Sequence, residues 1–382
     1  MSLDVVTNLM WIAPGRVGGS EQYMTRQLLG LAGRHDDPAD AVGVRIACSP
    51  SFARAHPELR EHHEIVTGPV DRDNRAVRIA LEHSWLAVLT RSADVVHHGG
   101  GTTPLIGRRP IVLTIHDLQY LAHPDHFSDG RRRYLDAMMP RSVRRAAVVT
   151  TPSEFVRTTV VDAFDADPDR VLVVPHGIPD REPPDASTVD DVRRRHDVGD
   201  RPYVVYPAIT HPHKHHEVLV EMLEHLHDDT VLVLIGGEGR GDATLNAAIA
   251  ASAVGDRIVR AGRVCDADRD ALVAGADALV FPSEYEGFGA PLVEAMAFGV
   301  PVVGFAHPAI REVVGDAAIV VAQRSDDHGV GEAWAAAVDE ARRRRDELVA
   351  LGHRRRDAFT LETSGRALAD AYRLAFAIGA RR

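Results

Sequence analysis

Residues 203–237 read YVVYPAITHPHKHHEVLVEMLEHLHDDTVLVLIGG. Two short runs, YVVYPA and TVLVLIGG, are rich in valine and apolar on both faces. That is the pattern of strands covered above and below in a parallel sheet. Between them, HHEVLVEMLEHL is an amphipathic helical stretch. Strand, helix and strand at this spacing form a βαβ unit, and a chain built from such units predicts a doubly wound sheet.

The rhythm continues towards the C-terminus: helix DATLNAAIAASA, strand RIVRAG, helix DADRDALVAGA, strand DALVFPS, helix PLVEAMAFG, then PVVGFA and AAIVV. The tail GRALADAYRLAFAIGA is one more amphipathic helix. Towards the N-terminus it stops at residues 178–202, IPDREPPDASTVDDVRRRHDVGDRP, where Pro183-Pro184 and many charges read as a linker leading into a helix. Before the linker it resumes, with DVVTNLMWI, helix SEQYMTRQLLGLAG, AVGVRIACS, the short helical FARAHPELR, then ADVVHH, PIVLTIHD, AAVVTTPS and RVLVVPHG. The expected fold class is α/β, two Rossmann-like doubly wound domains with a cleft between them. Ligands of open α/β sheets bind beyond the C-terminal ends of the strands, so sites are sought in the turns that follow strands.

Composition narrows the function. The 382 residues are 45% hydrophobic and 26% charged, as in a soluble protein of two ordinary domains. A net charge of −11 argues against nucleic acid as a general partner. No apolar run is long enough to span a bilayer, and MSLDVVTNLM lacks the basic flank and apolar core of a signal peptide, so a cytoplasmic location is expected. Cys48 and Cys265 are too few for a disulfide framework and read as buried small hydrophobes. Charge is nearly balanced over residues 1–178, and the remainder carries the acidic excess. In the balanced half, RRRYLDAMMPRSVRR (Arg131–Arg145) places Tyr134, Leu135, Met138 and Met139 on one helical side flanked by arginines. Two readings stay open: a solvated helix with an ordinary core face, or a patch for an anionic membrane surface.

Several turns carry chemistry. Gly18 and Gly19 precede the first helix, with Ser20 expected as its N-cap; glycines there let a phosphate or a sugar hydroxyl approach the free N–H groups. The pattern is not G-x-G-x-x-G, which disfavours a nicotinamide enzyme. TIHDL puts His116 and Asp117 at a strand end, and VVHHGGG does the same for His97 and His98; each histidine could equally be structural. The strongest signal is FPSEYEGFGAPLVEAMAFGVPVV, residues 281–303. Glu286 ends a strand turn, Gly287 to Ala290 lead into a helix with Pro291 in its first turn, and Glu294 lies on that helix. The helix N-terminus suits a diphosphate, and each carboxylate can accept paired sugar hydroxyls. Finally, Lys214 is the only lysine in a chain that otherwise uses arginine, and it stands among His211, His213, His215 and His216.

The 281–303 stretch closely resembles the E-x7-E signature of the family 4 retaining glycosyltransferases, which have the GT-B fold. The resemblance covers nearly the whole chain. GGSEQYMTRQLLGLA looks like the family's glycine loop and first helix, TIHDL its histidine-bearing strand end, TPSEFVRTTVVDAF and VPHGI the last elements of its first domain. YPAITHPHKHHEVLVEML matches the turn and helix that open the second domain. LVLIGGEG and RIVRAGRV, with Gly237, Arg263 and Val264, occupy the places of its nucleotide-contacting loops.

By that resemblance, residues 1–180 form an acceptor-binding domain completed by a helix over 360–382, and residues 200–359 a nucleotide-sugar-binding domain. Glu286 would bind the donor hexose and Glu294 the ribose hydroxyls. The backbone of Phe288, Gly289 and Ala290 would approach the sugar and diphosphate. His116 would lie close to the transferred sugar, and Gly18 and Gly19 would flank the diphosphate and the acceptor. Lys214 matches a lysine that neutralises the leaving diphosphate. The family commonly pairs that lysine with an arginine, whose place falls near Ala208 here; His213 and Arg263 are the candidates to replace its charge.

The implied reaction is retaining transfer of a hexose from a nucleotide diphosphate sugar, with the leaving phosphate as base and neither cofactor nor metal. TIHDL and HKHHEVL look most like bacterial mannosyltransferases of surface polysaccharide assembly, which favours GDP-mannose; dTDP-deoxyhexose and UDP-glucose stay open. The acceptor is expected to be a glycan or lipid-linked hydroxyl, with peripheral contact at the inner membrane face, or else a soluble natural product. Rival readings are a nucleotide-sugar 2-epimerase or a phosphorylase on the same fold, a non-catalytic nucleotide-sugar-binding partner, and a metalloprotein built on HPHKHH, which lacks zinc-ligand spacing.

Overall fold

The computed structural model describes residues 3–15, 18–32, 42–71, 75–107, 110–227 and 229–381. The chain divides into two compact units, Met1–Pro179 with Phe359–Arg382, and Asp180–Ala358.

The first unit is built on a parallel sheet of β1 (Leu3–Asn8), β2 (Val42–Cys48), β3 (Glu64–Thr67), β4 (Val95–His98), β5 (Ile111–Thr114), β6 (Val148–Thr151) and β7 (Val171–Val173). Their order is β3-β2-β1-β4-β5-β6-β7. The edge strand β3, EIVT, has too weak an alternation to stand out in the sequence. Central strands are buried along their length, which is why VVHH, IVLT and VVTT read as apolar on both faces.

The C-terminal helix Leu361–Ala380 belongs to this unit and packs on the first helix, Gly19–Ala32. Gly30 and Gly365 make the contact. A Cβ on Gly365 would lie 2.1 Å from the carbonyl carbon of Gly30, and one on Gly30 1.9 Å from the oxygen of Leu361. Only hydrogens fit between the two backbones. Tyr372 of the same helix reaches the sheet, its hydroxyl 2.8 Å from His97 Nδ1.

The second unit repeats the plan with β8 (Tyr203–Pro207), β9 (Val231–Ile235), β10 (Ile258–Gly262), β11 (Ala278–Phe281), β12 (Val302–Phe305) and β13 (Ala318–Val321), in the order β10-β9-β8-β11-β12-β13. Its core runs from Val204 and Leu232 through Phe281 and Leu292 to Trp334. The charged run expected as a linker contributes helix Ala186–Arg195, capped by Asp185, whose Oδ1 accepts from the Thr188 amide at 2.7 Å. Arg195 and His196 then bind Asp268, which ties that helix into the second unit.

In each sheet the strand order reverses beside its first strand, between β1 and β4 and between β8 and β11. There the turns after neighbouring strands diverge to opposite faces and leave room for a ligand.

Candidate active site

In the second unit the reversal point brings together two residues far apart in sequence. The turn after β8 carries Lys214, and the turn after β11 carries Glu286; the Lys214 ammonium donates to Glu286 Oε1. Both side chains are mostly buried. Lys214 also stands 5.5 Å from the centroid of the Phe281 ring. The two turns are laced by backbone: the Glu284 amide and the Ser283 hydroxyl both donate to the carbonyl of His213, at 3.1 and 3.3 Å, and Tyr206 donates to the carbonyl of Lys214 at 3.1 Å. Glu284 is held by Arg324 at 2.8 Å and by the amide of Ser325 at 2.7 Å.

Helix Ala290–Ala297 starts from this turn, with Pro291 in its first turn. Gly289 takes φ 90° to aim the chain into it, and a Cβ there would meet Leu292 Cδ1 at 2.7 Å. Phe288 and Ala290 are buried beside it. Glu294, one turn along, raises the pKa of Arg269: burial alone would lower it, and the charges of Glu294, Asp270 and Asp266 outweigh that.

The turns after β9 and β10 meet alongside. Arg263 lies against Gly237 so closely that a Cβ there would sit 2.5 Å from its Nε; Val264 packs on the core edge. The Gly239 amide donates to Thr210 Oγ1 at 2.6 Å, and Gly241 to the Thr210 carbonyl at 2.7 Å. At the expected arginine place, the carbonyl of Ala208 is used by His216 Nε2 at 3.3 Å and abuts Gly236.

The histidine run does not converge. His215 pairs with Glu217, His216 turns to Ala208, and His211 stacks on His213 at 5.8 Å. Among the described residues no three His, Cys, Asp or Glu side chains gather as a metal site. Burial pushes His216 down to about 4, against the opposing bond to Ala208.

In the first unit, the turns after β1, β4 and β5 enclose a cavity of about 520 Å³, lined among others by Trp11, Arg78, His116, Arg131 and Tyr134. His116 Nε2 donates to the carbonyl of Gly99 at 2.8 Å, and its ring packs against Trp11 and edge-on against Tyr23. Burial lowers its pKa to about 4, with the Gly99 bond opposing. The ring is therefore neutral at pH 7, and Nδ1 keeps its lone pair for an incoming donor. His97 and His98 are structural: His97 bridges Tyr372 and Thr114, His98 faces Asn8 at 3.3 Å, and burial lowers both to about 3.

Two expectations change, and one open reading is decided. The first helix begins at Gly19, so Ser20 lies inside its first turn; Gly18, at φ 68°, turns the chain two residues earlier than a cap at Ser20 would. Cys265 is exposed, because it follows the turn after β10 at the start of a helix; Cys48 is buried. The apolar side of the Asp129–Arg145 helix faces inward: Tyr134, Leu135 and Met139 line the cavity, while Arg141 and Arg145 donate to the carbonyls of Leu105 and Pro104. No described helix is long and apolar enough to cross a membrane.

Sequence reasoning missed Trp11, Arg78, Glu284 and Arg269. Trp11 was findable, since it follows β1 where ligand turns belong. The others come from helices or turns whose neighbours depend on the fold.

Two family profiles divide the chain. Residues 17–182 match Glycosyltransferase Family 4, and residues 189–350 match Glycosyl transferases group 1. The chain belongs to glycosyltransferase family 4. Among similar family 4 proteins, the D-inositol 3-phosphate glycosyltransferase of Xylanimonas cellulosilytica is 30% identical over 79% of this chain and 78% of its own length. The O-antigen chain mannosyltransferase B of Escherichia coli is 29% identical over 59% of this chain, and the match spans 61% of that relative. Among solved structures, Anabaena HepE in complex with UDP-glucose superposes with TM-score 0.75 at 18% identity, over 96% of this chain and 98% of its own. The family 4 fold is GT-B, and the two doubly wound sheets described above are its two halves.

Proposed function

We propose that this protein is a retaining hexosyltransferase that takes mannose from GDP-mannose and places it on a hydroxyl of a glycan or lipid-linked acceptor. The observation that carries the reading is the pairing of Lys214 with Glu286 beside a glycine-started helix bearing Glu294. That pairing supplies what the departure of a nucleoside diphosphate needs: one buried ammonium and the free N–H groups of a helix N-terminus, aimed where negative charge develops. Glu286 accepts from hexose hydroxyls and Glu294 from the ribose. Arg263, held over Gly237, supplies the second positive charge that Ala208 cannot. These groups provide the charge stabilisation without a metal. The likeness to an O-antigen mannosyltransferase supports mannose as the sugar.

A thermal-shift screen against GDP-, UDP- and dTDP-sugars, followed by NMR of the product formed with a mannosylated acceptor, tests the reading. Stabilisation by GDP-mannose and a retained α-anomer are expected. Stabilisation by UDP- or dTDP-sugars alone removes the donor assignment, and an inverted linkage removes the mechanism.

A further inference from the structure

Lys214 projects from a turn with an uncommon backbone. Pro212–Lys214 form a short helical turn, and the next residue, His215, takes φ 46° and ψ 51° before helix His216–His225 begins. A β-carbon in that left-handed region crowds the carbonyl that follows it. Two other non-glycine residues near helix ends share the sign of φ, Asp165 and Asp197, and both come just after the C-terminal end of a helix, where the conformation is ordinary. His215 instead opens a helix, and its side chain does not cap it. Glycine takes the same place before helices Ala290–Ala297 and Val330–Arg343, at Gly289 and Gly329. Strained backbone of this kind persists where the surroundings hold it, and it gathers at functional sites.

What holds His215 is a pair of carboxylates. Its Nδ1 donates to Glu217 Oε1 at 2.9 Å, and its Nε2 lies 3.9 Å from Glu284 Oε2. Burial alone would raise the Glu217 carboxyl; the bond from His215 and the groups around it outweigh that and hold its pKa below the ordinary value. Glu284 is fixed in turn by Arg324 and by the amide of Ser325. Glu284 and Glu286 stand two positions apart on the turn after β11, and Lys214 and His215 are neighbours on the turn after β8. Two side-chain bridges therefore cross between the same two turns, Lys214 to Glu286 and His215 to Glu284. The second holds the residue that bends the chain directly after Lys214. Glycine would make that bend with less crowding, and only a side chain can brace it.

We infer that His215 is a positioning residue: braced between Glu217 and Glu284, it fixes the turn that aims the Lys214 ammonium at the diphosphate of the donor. The inference rests on the donor-binding reading of Lys214 and Glu286 and deepens it. His215 acts through Lys214, so its effect should vanish once Lys214 is gone.

Calorimetry on the intact protein tests it by comparing a nucleoside diphosphate with its monophosphate: GDP with GMP, UDP with UMP, and dTDP with dTMP. The diphosphate should bind more tightly, because Lys214 meets the phosphate that the monophosphate lacks. His215→Gly should weaken the diphosphate roughly 10-fold and leave the monophosphate near wild type. Lys214→Ala should cut the same preference, and adding His215→Gly to it should cut no further. Loss of packing around the nucleoside would weaken both nucleotides alike and would add to Lys214→Ala. Should His215→Gly fail to fold by circular dichroism, His215→Asn carries the same comparison, since asparagine tolerates the left-handed backbone and is too short to span both carboxylates. A wild-type preference in the folded His215 variant, equal weakening of both nucleotides, or an effect that adds fully to Lys214→Ala overturns the inference. Wild type that binds none of the three diphosphates, or Lys214→Ala that keeps the full preference, removes the donor reading and the role of His215 with it. Lys214→Ala losing the preference while His215→Gly keeps it refutes His215 alone.

Discussion

Lys214, the only lysine of the chain, donates to Glu286, seventy-two positions away and on the other side of the sheet's reversal point. Its ammonium lies between a carboxylate and the face of Phe281, 5.5 Å from the ring centroid. A compact point charge fits there. Arginine, with a broad planar fork, is not a neutral replacement.

Lys214→Ala and Glu286→Ala should each lower kcat by about 10²–10³-fold, the usual cost of removing one group that stabilises developing charge. Circular dichroism should show an intact fold in both. Lys214→Arg should fail to restore turnover. Near-normal kcat in either alanine variant removes that residue from the mechanism.

Gly237→Ala should weaken donor binding without unfolding the protein. The new methyl would fall 2.5 Å from Arg263 Nε and push a flexible side chain aside, leaving the backbone in place. A loss of about 10-fold in nucleotide affinity, or about 1.4 kcal/mol, is expected by calorimetry. Unchanged affinity would mean that Arg263 does not face the donor.

Gly365→Ala should cost stability, because the obstacle is backbone: the Gly30 carbonyl carbon at 2.1 Å. Forcing the helices apart costs about 1–3 kcal/mol or more. A clear drop in melting temperature is expected, whereas Gly130→Ala, where a Cβ meets nothing, should leave it nearly unchanged.

Stability should fall in acid before the carboxylates titrate. Burial holds His97 and His98 at about 3, and His116 and His216 at about 4, in the folded protein. Unfolded, each returns to about 6.5 and binds more protons across that window. The stability they contribute is therefore complete above about pH 6.5 and is lost as pH falls towards the folded values. Urea unfolding midpoints should decline from about pH 6.5 to 4. His97→Gln should flatten the decline; an unchanged slope would mean that His97 does not titrate on unfolding. His56 works in the opposite sense: its two ring nitrogens face Glu21 at 2.8 Å and Glu58 at 3.0 Å, which raise its pKa against burial, so its share is lost as pH rises.

Much of this was legible from local pattern. Glu286, Gly289, Pro291 and Glu294 lie within nine residues, so one strand end and one helix start place them all. The parallel sheets were legible because buried strands are apolar on both faces. Edge strand β3 was not, since only half of it meets a core. The Arg131–Arg145 helix was ambiguous for a related reason. Periodicity tells which residues share a side, and only the cavity beneath Tyr134 and Met139 tells what that side faces.

Spacing along the chain thus settles what neighbouring residues do together: two βα arrays, a glycine-started helix, two carboxylates eight positions apart. The partners of Lys214 and Gly365 belong to another order of information. Each is decided by strand order and helix packing, which set distant turns and backbones side by side through contacts that no stretch of sequence contains.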